Sequence, residues 1–60
     1  MKRLFRKGQI VELKSDGKVM EVMDYIKVRS RYLVECQWFD LEKREMFINR
    51  FEEKNLKKAS

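Results

Sequence analysis

The run from Tyr32 to Asp40, YLVECQWFD, has the clearest alternation of apolar and polar positions in the chain. At a period of two, one face of an extended strand carries Tyr32, Val34, Cys36 and Trp38, and the other carries Leu33, Glu35, Gln37 and Phe39. The first face is the better core face. The pattern therefore predicts a central strand over residues 32–39.

Two further strands are predicted before this one. Residues 9–14 form the first, with Val11 and Leu13 on one face, and residues 19–28 form the second. The dipeptide Asp16-Gly17 between them is typical of a hairpin turn, because Asp bonds its own backbone and Gly accepts a positive φ. Asp24 interrupts the apolar alternation of Met20, Val22, Ile26 and Val28, which predicts a bulge or bend near it.

The last third of the chain leaves two alternatives open. Residues 43–48 are predicted as a fourth strand, in which either Glu45 and Phe47 or the alternate residues Arg44, Met46 and Ile48 face the core. Asn49 with Glu52 is typical of a capping box and predicts a single helical turn over 49–53, before a last strand over 55–58. A full helix over 49–58 is the alternative, although its apolar anchors lie on poorly matched faces.

These elements predict a mainly β fold, a small five-stranded antiparallel SH3-like barrel with one short helical turn near the C-terminus. The barrel is expected to span residues 8–58, after a basic lead-in over 1–7 in which Leu4 and Phe5 fold back over one end of the core. Closure would remove exposed sheet edges. An open four-stranded sheet covered by a C-terminal helix is the alternative. The predicted core consists of Val11, Leu13, Met20, Val22, Val34, Cys36, Trp38 and Phe47.

Chain length and amino-acid composition argue against several classes of function. The chain has 60 residues, enough for one domain, and carries 43% hydrophobic and 42% charged residues. Its single Cys36 and its lack of His argue against an internal disulfide, a metal site or a thiol nucleophile with its base. We therefore expect a non-enzymatic cytoplasmic protein without a cofactor or a metal. No apolar run approaches the ~20 residues of a membrane span, so no membrane partner is expected.

Several of these residues resemble the YodC-like family of small uncharacterised bacterial proteins. The most specific part of the resemblance is the block Val34-Glu35-Cys36-Gln37-Trp38-Phe39-Asp40, followed by Lys43-Arg44-Glu45-Met46-Phe47. Gly8, Val11, Leu13 and Gly17 also fit, while Gln9 and Leu41 depart from the family pattern. The resemblance implies a small β-rich bacterial protein with Phe47 facing inward, and it implies no activity.

Two binding functions remain as expectations. The formal net charge of +5 favours RNA or single-stranded DNA as a partner. In a barrel the first and last strands come close, which would merge two basic sets into one patch made of Lys2, Arg3, Arg6, Lys7, Lys54, Lys57 and Lys58. The alternative is a protein-binding or self-associating module that uses an exposed apolar face. Its candidate residues are Leu33, Phe39, Met46 and Ile48, unless Leu4 and Phe5 cover that face.

Overall fold

The computed structural model describes residues 2–59, so Met1 of the expected lead-in lies outside the described residues. The chain forms five strands and one 3-10 turn over Glu53–Asn55. The strands are β1 (Ile10–Leu13), β2 (Val19–Val28), β3 (Arg31–Asp40), β4 (Glu45–Phe51) and β5 (Leu56–Lys58). The predicted mainly β class, with a short helical turn before a last strand, is confirmed. A C-terminal helix over residues 49–58 is wrong.

The five strands form one antiparallel sheet in the order β4-β3-β2-β1-β5. Strand β2 is central, and β4 and β5 are the two edges. The predicted central position of the 32–39 strand is therefore wrong, because as β3 it lies between β4 and β2. No strand pairing joins β4 to β5 within residues 2–59, so the expected removal of sheet edges is not observed. The sheet is therefore not closed, and its likeness to an SH3-like barrel stays a prediction.

Each turn has a local chemical reason. Gly17 has a φ of 76°, and the amide of Lys18 donates to Oδ1 of Asp16 at 2.9 Å, which confirms the predicted hairpin turn between β1 and β2. In the β3–β4 turn, Oδ1 of Asp40 accepts two backbone N–H groups, from residues 42 and 43. Arg44 in this turn and Arg29 in the β2–β3 turn adopt positive φ values of 54° and 59°.

A β-bulge at Met23 divides β2 into two halves of opposite phase. Val22 lies opposite Cys36, but Asp24 lies opposite Glu35, so β2 has one residue more than β3 at this point. Side chains after the bulge therefore exchange faces, and Tyr25 takes the buried position. The predicted bulge is confirmed. The predicted alignment of Ile26 with Val22 is wrong, because the phase of the strand changes between them.

The core lies on one face of the sheet, which we call the inner face. Its buried residues are Phe5, Val11, Met20, Val22, Tyr25, Val34, Cys36 and Leu56. Both ends of the chain contribute, because Phe5 comes from the lead-in and Leu56 begins β5. Leu13 and Trp38, predicted as core, are only partly buried and pack against this cluster.

Strand β4 has Phe47 on the inner side, where it lies opposite Trp38 with ring centroids 5.9 Å apart. This register agrees with the orientation that the resemblance implied, although Phe47 is only half-buried. The predicted capping box at Asn49 is wrong. Asn49 lies within β4 and its Oδ1 accepts the amide of Arg50, while the 3-10 turn begins at Glu53 without a side-chain cap.

Candidate nucleic-acid interface

The N-terminal lead-in is fixed to the sheet by a hydrophobic anchor and a hydrogen-bond network. The side chain of Phe5 is 4% exposed. Its amide donates to the hydroxyl of Tyr25 at 3.2 Å, and the amide of Leu4 donates to Oε2 of Glu53 at 3.0 Å. The Tyr25 hydroxyl in turn donates to Glu53. The cations of the lead-in are therefore held against the fold.

The hydroxyl of Tyr25 is kept protonated by its surroundings. Burial raises its pKa above the ordinary value of 10.0, and the hydrogen bond to the Glu53 carboxylate raises it further. The backbone amides of Phe5 and Leu4 lower the pKa of Tyr25, but by less than burial and Glu53 raise it. Tyr25 therefore stays a hydrogen-bond donor at neutral pH.

A turn at Gly8 leads the chain from the lead-in into β1. Gly8 has a φ of 85° and its amide donates to the carbonyl of Val22 at 2.8 Å, while Oε1 of Gln9 accepts the amide of Arg6 at 3.1 Å. The pairing of β5 with β1 brings the other end of the chain to the same place. The last described contact there is the amide of Ala59 donating to the carbonyl of Ile10.

These two segments enclose an open cleft of about 560 Å³, which we call the basic cleft. Its charged lining consists of Arg3, Arg6 and Lys7 from the lead-in and Lys58 from β5. The guanidinium of Arg3 lies 4.9 Å from the centroid of the Tyr25 ring, and the ammonium of Lys7 lies 3.7 Å from Asp24. Within residues 2–59, Arg6 and Lys58 make no ion pair. The cleft therefore keeps an excess of positive charge.

The structure brings together four of the seven predicted basic residues and separates the other three. Lys57 is the cross-strand partner of Glu12 and lies on the outer face. Successive side chains of β5 point to different faces, so Lys57 points away from the face that carries Lys58. The ammonium of Lys54 lies 3.4 Å from Glu52. Lys2 is exposed and does not line the cleft. Burial of Phe5 and the phase of β5 decide this selection.

The outer face of the sheet carries an exposed apolar surface at one end. Phe39, Met46 and Ile48, all predicted interface residues, are 52%, 52% and 57% exposed. Phe39 and Met46 are direct cross-strand partners, and Ile48 follows on the same face of β4. Phe39 also shares a shallow cleft with Val19 and Leu41. We call these residues the apolar outer surface: Val19, Phe39, Leu41, Met46 and Ile48.

Leu33 does not belong to this surface. It lies opposite Ile26 toward the other end of β3 and is half-buried. Leu4 and Phe5 do not cover the outer face. The predicted fold-back over the core is confirmed for Phe5, which is buried there, while Leu4 is 58% exposed. Val19 and Leu41 were missed in the sequence because one follows a turn and the other lies within one.

The remaining chemical groups have structural surroundings. The thiol of Cys36 is buried, and burial followed by the nearby charge of Glu35 raises its pKa to about 11. Trp38 is half-buried near the rings of Phe47 and Phe51, with the ammonium of Lys18 4.5 Å from its ring centroid. Its ring faces are therefore already in contact with the protein's own side chains.

Comparisons with known proteins found no match among family models, curated proteins or solved structures. Within residues 2–59, no group of three or more Cys, Asp or Glu residues is arranged to hold a metal ion. The same residues contain no helix long and apolar enough to cross a membrane.

Proposed function

We propose that this protein is a non-enzymatic binding module that holds single-stranded nucleic acid, RNA or DNA, in the basic cleft. The observation that carries the proposal is the convergence of Arg3, Arg6 and Lys7 with Lys58 around one cleft. Residues from opposite ends of the chain meet there, so the concentration of charge is a property of the fold.

The chemistry of the cleft suits the phosphate backbone better than the bases. Guanidinium and ammonium groups bind phosphate oxygens, and neutralising phosphates releases condensed counterions. Gln9 is the one uncharged side chain in the lining with both a hydrogen-bond donor and an acceptor, and its Oε1 already accepts the amide of Arg6. Binding should therefore be weak and tolerant of sequence.

Three finer statements belong to the same proposal. The sheet is an incompletely closed SH3-like barrel, supported by the bulged central strand β2 and by the 3-10 turn before β5. The chain is a member of the YodC-like family, supported by the Val34–Asp40 block of the sequence. The protein acts in the cytoplasm, supported by a sequence of 60 residues with a single cysteine, since small secreted domains usually rely on disulfides.

Titration of a fluorescent single-stranded oligonucleotide at several salt concentrations tests the function. If the four cations each neutralise one phosphate, log affinity should fall against log salt with a slope of about −3, from ~0.7 per phosphate. Lys7 already shares its charge with Asp24, so a slope nearer −2 also agrees with the site. Absence of binding at low salt would overturn the proposal.

Adjacent lysines of β5 supply a matched pair of variants. Lys58→Gln removes a cation of the basic cleft and should reduce the steepness of the slope by about 0.7. Lys57→Gln makes the same charge change on the outer face, beside Glu12, and should leave the slope unchanged. Equal effects of the two variants would show that net charge, and not the cleft, determines binding.

A further inference from the structure

The two edges of the sheet differ in their protection against another strand. Exposed edges are commonly protected by short length, lysines, proline or bulges. Strand β5 is three residues long and contains Lys57 and Lys58. Strand β4 has seven residues, its pairing with β3 continues without a register shift, and the chain contains no Pro. The β4 edge therefore remains available for pairing.

The β4 edge also borders the apolar outer surface. Met46 and Ile48 lie on the outer side of β4, and Phe39 lies next to Met46 on β3. The side chains of a strand added along β4 would pack beside Met46 and Ile48, while its backbone would satisfy the free groups of the edge. An unprotected edge and an exposed apolar surface thus coincide.

We propose that two copies of this chain pair through their β4 strands, antiparallel and centred on Phe47. A twofold axis normal to the sheet places the outer faces of both copies on the same side. An outer-face residue of one copy can therefore lie opposite only an outer-face residue of the other, and the same holds for inner-face residues. In the register centred on Phe47, Met46 of one copy lies opposite Ile48 of the other. Phe47 then lies opposite its own counterpart on the inner side.

This register is self-complementary, which is why a second copy is the occupant. It matches apolar residues with apolar residues at Met46, Phe47 and Ile48, and it joins Phe39, Met46 and Ile48 of both copies into one apolar band. The neighbouring register, centred on Ile48, places Met46 opposite Arg50 and Phe47 opposite Asn49. Glu45 and Arg50 give β4 no net charge, and this register places Glu45 opposite Asn49. Arg50 lies opposite Arg44 of the β3–β4 turn, where its ion pair with Glu35 offsets the like charges.

Salt should act on this pairing in the direction opposite to its effect on nucleic-acid binding. Each copy carries a formal net charge of +5, so two copies repel one another at low ionic strength. Added salt screens this repulsion, while contacts between apolar side chains are little affected. Self-association should therefore strengthen as salt rises, whereas binding in the basic cleft weakens.

Sedimentation over a range of protein concentrations at moderate salt tests the association. The wild-type protein should show a monomer–dimer equilibrium, and Ile48→Lys should shift it to monomer by at least tenfold in dissociation constant. Ile10→Lys is the matched control, because Ile10 is an exposed isoleucine of β1, a strand that lies between β2 and β5 and away from the β4 edge. A wild-type protein that stays monomeric, or equal effects of the two variants, would overturn the proposal.

Disulfide cross-linking tests the register. A mixture of Met46→Cys and Ile48→Cys proteins should form a mixed disulfide, because directly opposite residues have Cβ atoms ~4.5–5.5 Å apart. Either variant alone should link slowly, since its two thiols lie on a diagonal of ~7–8 Å. Efficient self-linking of Ile48→Cys would overturn the register centred on Phe47. The wild-type protein, whose single thiol is the buried Cys36, is the control and should form no disulfide.

Discussion

The hydroxyl of Tyr25 donates a hydrogen bond to the carboxylate of Glu53, and each of these groups also accepts a backbone N–H of the lead-in. Tyr25 belongs to the bulged half of β2, and Glu53 begins the 3-10 turn before β5. The pair therefore connects three segments that are distant in the sequence. It also sets the position of the cations that line the basic cleft.

Removing the Tyr25 hydroxyl should loosen the lead-in. Tyr25→Phe keeps the buried ring and leaves Glu53 and the Phe5 amide without their partner, which should lower the free energy of unfolding by about 1–3 kcal/mol. Denaturant unfolding measures this loss, and amide exchange should quicken at Phe5. Tyr32→Phe, at an exposed tyrosine, is the control and should change neither quantity. An unchanged Phe5 amide in Tyr25→Phe would contradict the anchoring role.

The raised pKa of Tyr25 predicts a loss of stability in alkali. The folded protein holds this proton more tightly than the unfolded chain, so the contribution is present below pH 10 and is lost as pH rises through the raised pKa. The difference in unfolding free energy between wild type and Tyr25→Phe should therefore shrink above pH 10. Lysine titration affects both proteins and cancels in the comparison. A difference that stays constant up to pH 11 would contradict the shift.

Cys36 should resist thiol reagents in the native protein. Burial raises its pKa to about 11, so at pH 8 the reactive thiolate is scarce as well as inaccessible. Labelling should be slow until denaturant unfolds the chain. An Ile10→Cys protein, measured alongside, should label one thiol quickly and the second at the wild-type rate, because Ile10 is exposed and lies away from the β4 edge. Rapid labelling of wild type in native buffer would show that the core opens at Cys36.

Replacing arginine by glycine at the two turn positions with positive φ should stabilise the folded protein. Arg44 and Arg29 adopt the left-handed region, which costs an L-residue with a side chain roughly 1–2 kcal/mol. Part of this gain is offset by the greater freedom of Gly in the unfolded chain, so Arg44→Gly should stabilise the protein by ~0.5–1 kcal/mol. Thermal unfolding measures the change. Lys43→Gly in the same turn, where φ is not positive, should stabilise nothing.

Much of the fold follows from local patterns. Alternation along residues 32–39 and the Asp16-Gly17 turn predicted the central hairpins, since side-chain phase and turn chemistry depend on neighbouring residues. The bulge was predicted from Asp24. Its effect on the later residues was not, because the position of the extra residue decides which of Tyr25 and Ile26 faces the core. Asn49 was misassigned because pairing with β3 extends β4 beyond its capping signal.

The candidate site depended on contacts that the sequence does not reveal. Charge composition indicated a basic surface, but only the burial of Phe5 and the phase of β5 separate Lys58 from Lys57. The apolar outer surface was predicted in part, from alternation on β3 and β4. Leu33 was grouped with Phe39 because the two share a face of β3, but Leu33 lies toward the other end of that strand and is half-buried.

The bulge at Met23 also decides which residues of β2 face the core on each side of it. Upstream of it the even-numbered residues of β2 face the core, and at Tyr25 an odd-numbered residue does. If β2 kept Met23 but ran without the bulge, Asp24 would face inward in place of Tyr25, and the lead-in would lose its anchor although no contacting residue had been removed. A chain that lacks Met23 would need no bulge at all, because Asp24 would follow Val22 directly and Tyr25 would stay opposite Val34.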